Sequence, residues 1–173
     1  SDPFLTSQSL SLKMLRRTEA PIQRPMQRII HSNPDRVLDA PQIPSFPSTQ
    51  LLDWGANNKI VIGMRSTLYT WDEEKRQAIK VLDVDSSHMI RCTQWLNRCS
   101  GVALTITTGE TAIFDVESAG YVRRIDAPEG PVSQLASEGP MLAIGSNETG
   151  SIRICDLRSR QNVVAPYEGH HGR

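Results

Sequence analysis

The chain has 173 residues, and its 19 basic and 19 acidic side chains cancel at neutral pH. Without a net field, neither nucleic acid nor an anionic membrane is expected as a partner, and no apolar run approaches the ~18 residues that span a bilayer. Three cysteines, Cys92, Cys99 and Cys155, show no CxxC spacing, so no thiolate metal site is expected, and Cys92 and Cys155 read as small buried hydrophobes within strands.

Residues 1–48 are expected to form a flexible, extended amino-terminal arm. They hold seven of the eleven prolines, several serines, and the bases Lys13, Arg16, Arg17, Arg24, Arg28 and Arg36. Such a composition buries too little apolar surface to order itself. Within the arm, Leu10 to Arg17 has the pattern of a short basic amphipathic helix that could dock on a partner; a solvated linker explains the same residues.

From residue 49 the texture changes to short apolar or alternating runs separated by turn residues. The first unit reads as strands at Gln50–Trp54, Lys59–Arg65, Thr67–Asp72 and Gln77–Asp83. The second reads Met89–Leu96, Gly101–Thr107, Glu110–Val116 and Gly120–Asp126. The third reads Val132–Ser137, Met141–Asn147, Ser151–Leu157 and Gln161–Tyr167. The third strand of each unit ends on an aspartate, in Trp71-Asp72, Phe114-Asp115 and Cys155-Asp156, and these pairs are 43 and 41 residues apart. That spacing is the period of a WD-repeat propeller blade, about 40–45 residues. The fold class is therefore all-β: a WD-repeat β-propeller over 49–173, with blades at about 49–83, 88–126 and 131–168 and the start of a fourth. Gly63 and Gly145 recur two periods apart at the end of the second strand.

A propeller closes with about four to eight blades, so the three blades here read as part of a larger ring. The chain also starts without methionine, and it is expected to be a piece of a longer protein. His88, 27 residues before Asp115, and Gly169-His170 stand where blades carry a Gly-His turn whose imidazole can bond the repeat's aspartate, and such a blade-steadying hydrogen bond explains these histidines better than a metal or catalytic role. Asn147-Glu148-Thr149 matches a glycosylation sequon but reads as a blade turn. No nucleophile and base share a recognisable motif, no glycine-rich phosphate loop is present, and the four histidines are scattered. An enzyme is not expected, nor is a cofactor.

The junction between arm and first blade carries a family resemblance. Pro34-Asp35-Arg36-Val37-Leu38-Asp39-Ala40-Pro41 is followed after eleven residues by Asp53-Trp54, then by Asn58 to Gly63 and by Leu68-Tyr69-Thr70-Trp71. This arrangement closely resembles the Fizzy and Fizzy-related proteins, substrate-recruiting activators of the anaphase-promoting complex, over residues 28–173. The resemblance implies a seven-bladed ring that binds degron peptides. It implies as partners the subunits of that ubiquitin ligase and degron-bearing substrates such as cyclins, and a place in cytoplasm and nucleus during mitosis or meiosis. Asp35, Arg36, Asp39, Pro41, Trp54, Trp71, Asp72, Asp115 and Asp156 are its signature or structural residues.

Two residues are expected to bind degron peptides by the same resemblance. Asp53 matches an aspartate near the site for the lysine of the KEN degron, and Tyr69 matches a rim-side aromatic. Chemistry independently favours Asp53, whose carboxylate at a strand end could accept hydrogen bonds from a peptide. Where the family commonly has an acidic pair this chain has Ser45-Phe46, so a destruction-box arginine would lose a charge-assisted contact. Arg65-Ser66-Thr67-Leu68 fits a destruction-box pattern by coincidence, since a blade would bury it. The alternative reading is a WD-repeat scaffold with no role in ubiquitin transfer.

Overall fold

The computed structural model describes residues 31–44, 49–96, 100–125, 130–159 and 165–168. Twelve strands form three antiparallel sheets of four, each in chain order. The first contains β1 (Leu52–Trp54), β2 (Lys59–Met64), β3 (Thr67–Asp72) and β4 (Gln77–Asp83). The second contains β5 (Ile90–Leu96), β6 (Gly101–Ile106), β7 (Thr111–Asp115) and β8 (Gly120–Ile125). The third contains β9 (Val132–Glu138), β10 (Met141–Ser146), β11 (Ser151–Asp156) and β12 (Ala165–Glu168). No helix occurs among the described residues. The expected strands stand, with ends shifted by a residue or two; the start of the last expected strand, Gln161 to Val164, lies outside the described residues, as do the Leu10–Arg17 segment, Ser45-Phe46, Cys99 and Gly169-His170. The chain divides into Ser1–Leu38 and Asp39–Arg173.

Burial explains the layering. The first strands of the three sheets pack side by side, with a parallel bridge between Gln50 and Cys92 next to β1 and β5. The middle sheet has neighbours on both faces, so β5 and β6 are buried almost throughout, on both sides of the pleat. β3 and β10 instead alternate strictly, burying every second residue, as a half-covered strand must. The fourth strands of the first two sheets, β4 and β8, are the more exposed ones there. One apolar cluster joins the first two blades through Leu51, Val61, Leu68, Ile90, Val102 and Leu104. Another joins the second and third through Cys92, Leu96, Ile113, Leu135, Leu142 and Ile144. Cys92 and Cys155 are buried and stand outside any disulfide, and burial pushes the Cys92 thiol above its ordinary value.

Each repeat's aspartate closes the turn after its third strand. Asp72 Oδ1 accepts the backbone N–H groups of Glu74 and Lys75, both at 3.0 Å, with Lys59 Nζ 3.6 Å from its other oxygen. Asp115 Oδ1 accepts the N–H and hydroxyl of Ser118, both at 2.8 Å. Asp156 Oδ1 accepts Arg158 N at 2.9 Å, and its two oxygens take the guanidinium at 3.0 and 2.7 Å. These bonds hold all three carboxyls below their ordinary value. His88 departs from expectation. Its Nδ1 lies 3.1 Å from Ser87 Oγ, which itself donates to Asp85, while Asp115 caps its own turn.

Candidate functional site

A groove forms where the first strands of the three blades end. Asp53, Trp54, Gln94, Trp95, Ser137 and Arg158 line it, and its volume is about 830 Å³. The β1–β2 turn builds one lip: Gly55 N donates to Lys59 O at 2.8 Å, Asn58 N donates to Gly55 O at 3.1 Å, and Asn58 takes a φ of 59°. That turn holds Trp54 outward, 62% exposed, with its indole N–H donating to Asn58 Oδ1 at 3.1 Å. A large exposed aromatic beside small turn residues offers a ligand apolar contact that water gives up readily.

Asp53 alternates to the other side of β1 and reaches the second blade. Its Oδ2 accepts Gln94 Nε2 and Trp95 N, both at 2.8 Å. The third blade closes the far side, where Ser137 Oγ donates to Trp95 O at 2.8 Å. Trp95 is buried, and its Nε1 finds no acceptor among the described residues. Arg158 brings positive charge to the groove, already shared with Asp156. The groove thus has a carboxylate on its first-blade wall and a guanidinium on its third-blade wall.

The structure does not bring Asp53 and Tyr69 into one pocket. Tyr69 lies half-buried on β3 and lines a smaller cavity of about 440 Å³ with Pro41, Gln42, Arg65, Thr67 and Ser86. Strand direction explains the separation. β1 runs toward the groove and β2 runs away from it, so the Arg65-Ser66 turn and the Tyr69 pocket lie toward the opposite end of the blade. Leu68 of the Arg65–Leu68 pattern is fully buried, which removes it as a readable motif.

The signature residues are spread between arm, groove and blade turns. Asp35 and Asp39 are exposed, Arg36 is half-buried, and Pro41 borders the Tyr69 pocket. Trp71 is half-buried, its Nε1 donating to Glu73 Oε2 at 2.9 Å. Gln94 and Ser137 went unnoticed in the sequence. Only the 42-residue recurrence of positions 53, 95 and 137 could have pointed to that neighbourhood. Among the described residues, no group of three or more His, Cys, Asp or Glu could hold a metal ion, and no helix is long and apolar enough to cross a membrane.

Comparison with known proteins agrees with the arm-to-blade signature. The chain is 30% identical over 154 residues to "Cell division cycle 20.5, cofactor of APC complex" of Arabidopsis thaliana, covering 88% of this chain and 34% of that protein. It is 27% identical over 151 residues to "Protein FIZZY-RELATED 1" of the same plant, covering 87% of this chain and 31% of that protein. Over most of its length the chain is similar to Fizzy and Fizzy-related WD-repeat proteins. A chain in the crystal structure of the Mitotic Checkpoint Complex superposes with a TM-score of 0.76 at 26% identity, over 96% of this chain and 50% of that one. The chain spans about a third of the length of the curated relatives it matches. No family model matches it.

Proposed function

We propose that this protein is a substrate-recognition activator of the anaphase-promoting complex, an adaptor rather than an enzyme, working in cytoplasm and nucleus during cell division. The observation that carries the reading is Pro34 to Pro41 set eleven residues before Asp53-Trp54, in a chain whose relatives are named cofactors of that complex. Its partners are then the ligase subunits and degron-bearing substrates such as cyclins, and its blades are part of a seven-bladed ring. Immunoprecipitation of the full-length protein from dividing or meiotic cells is expected to bring down ligase subunits. Their consistent absence, with a tolerated tag, would favour the plain WD-repeat scaffold.

Within this reading the groove receives a charged degron peptide. Asp53 supplies negative charge for a lysine, Trp54 supplies an aromatic face, and Arg158 supplies positive charge across the groove. A KEN peptide is expected to bind measurably better than a destruction-box peptide. Asp53→Asn, which keeps a carbonyl acceptor and removes the charge, is expected to weaken the KEN peptide about tenfold if the charged bond is worth about 1.5 kcal/mol or more. Equal affinity for the two peptides would move the lysine site elsewhere.

A further inference from the structure

Asp53 is the last acceptor in a chain of hydrogen bonds that begins on the third blade. Leu135 N donates to Gln50 Oε1 at 3.1 Å. Gln50 Nε2 donates to Gln94 Oε1 at 2.9 Å. Gln94 Nε2 donates to Asp53 Oδ2 at 2.8 Å, and Trp95 N donates to the same oxygen at 2.8 Å. Four groups from three blades are joined in series.

Chemistry sets the sense of this relay at both ends. A backbone N–H can only donate, so Gln50 must turn its oxygen to Leu135 and its NH₂ to Gln94. Gln94 must then offer its oxygen to Gln50 and its NH₂ to Asp53. An ionised carboxylate can only accept, so the far end demands the same orientation. Neither amide is frustrated, and neither can flip alone without setting two donors or two acceptors face to face.

The partners of Asp53 are neutral, as are those of Asp115, and this separates both from Asp72 and Asp156. Asp156 shares its charge with Arg158 and Asp72 lies near Lys59. Asp53 is held by an amide and a backbone N–H, which orient a carboxylate without cancelling it. With both donors on Oδ2, the orientation of Oδ1 is set before any ligand arrives, so less side-chain freedom is lost on binding.

We propose that Gln50 and Gln94 are positioning residues that hold the Asp53 carboxylate, oriented and uncancelled, for a cationic side chain of a peptide in the groove. This rests on the reading of Asp53 as a peptide-binding carboxylate, and the test separates the two. The probes are a KEN peptide and its analogue with norleucine in place of lysine, titrated calorimetrically into the full-length protein. The ratio of their affinities reports the charge contact alone and cancels any loss of folded protein. The unaltered protein is expected to prefer lysine, and Asp53→Asn to abolish the preference.

Gln94→Leu removes the donor and is expected to shrink the preference about three- to tenfold. Gln50→Glu is the sharper variant, since residue 50 does not touch Asp53. A glutamate there still accepts Leu135 N–H but offers Gln94 only acceptors, so Gln94 turns its NH₂ to the new carboxylate and its oxygen to Asp53. The lysine preference should fall, whereas an added negative charge acting only through space would raise it. Side-chain amide protons of Gln94 should exchange slowly in the unaltered protein and lose that protection at the Asp53 end in Gln50→Glu. If Asp53→Asn abolishes the preference while Gln94→Leu and Gln50→Glu leave it intact, the relay proposal is overturned and the site reading stands. If Asp53→Asn leaves the preference intact, both are overturned.

Discussion

Residues 53, 95 and 137 occupy one position in three successive blades, 42 residues apart, yet they join their neighbours by different chemistry. Between the first and second blades, the Asp53 carboxylate accepts Trp95 N; between the second and third, the Ser137 hydroxyl donates to Trp95 O. Both junctions also have an apolar cluster behind the polar contact. The repeat therefore dictates where blades touch, while the side chain placed there decides whether the contact also leaves a charge in the groove. The first junction does both tasks. The second only closes.

The largest expected difference lies between the repeated glycines, Gly63 at the first junction and Gly145 on the face of β10 opposite the Leu142 and Ile144 side chains that pack on the second blade. A Cβ built on Gly63 would stand 2.5 Å from Ile90 Cγ2 and 3.1 Å from Ile90 Cβ, whereas one on Gly145 would meet nothing nearer than Gln134 O at 3.9 Å. Ile90 is fully buried and β-branched, so its side chain cannot swing aside cheaply. Gly63→Ala is expected to cost about 1–3 kcal/mol by overpacking the first junction. Gly145→Ala is expected to be neutral or to gain up to about 1 kcal/mol by restricting the unfolded chain. Paired thermal melts check this, and equal melting temperatures would show that the first junction accommodates a Cβ as easily as that face of β10.

Much of this was legible in the sequence, because the blade is a local object. Four short strands, their turns and the closing aspartate all fall within one period, and Asp72, Asp115 and Asp156 cap their turns through residues two or three positions on. What could not be read was contact across periods. Asp53 reads as a rim carboxylate with open valences, and its donors stand 41 and 42 residues away. His88 reads as reaching toward Asp115, but nearer groups satisfied each of them first. Tyr69 and Asp53 sit in the same blade and read as one site. Strand direction carries them to different pockets, an outcome of topology that residue type does not announce.

The polar contacts of the two junctions give the next effect in size. Asp53→Ala leaves the buried Trp95 N–H and the Gln94 amide without their acceptor, a loss of about 1–3 kcal/mol. Ser137→Ala removes a neutral bond and leaves a carbonyl oxygen, for which about 0.5–1.5 kcal/mol is expected. Denaturant unfolding of the two variants should rank them in that order. The reverse order would mean that Ser137, and not Asp53, carries the tie between inner strands.

The smallest effects concern the three blade turns, whose aspartates share a position and differ in partner. The Arg158 guanidinium and backbone N–H pull Asp156 from its ordinary 3.8 to about 2. Backbone N–H donors lead the lowering at Asp72 and Asp115, where Lys75 N and Ser118 N are the largest causes. A carboxyl whose folded value is depressed stabilises the fold above its unfolded value and loses that contribution as pH falls through the folded one. For Asp156 the loss therefore falls between about pH 4 and about pH 2. Asp156→Asn should flatten the acid-unfolding curve of the third blade in that window, read from backbone amide signals of β10 and β11. Salt separates the turns further. Raising ionic strength toward ~1 M shortens the screening length to about 3 Å, which should weaken the exposed Asp156–Arg158 pair and leave the Asp115–Ser118 turn, built from neutral donors, nearly unmoved. If salt shifts both turns alike, the guanidinium contributes little at Asp156, and backbone capping alone accounts for all three.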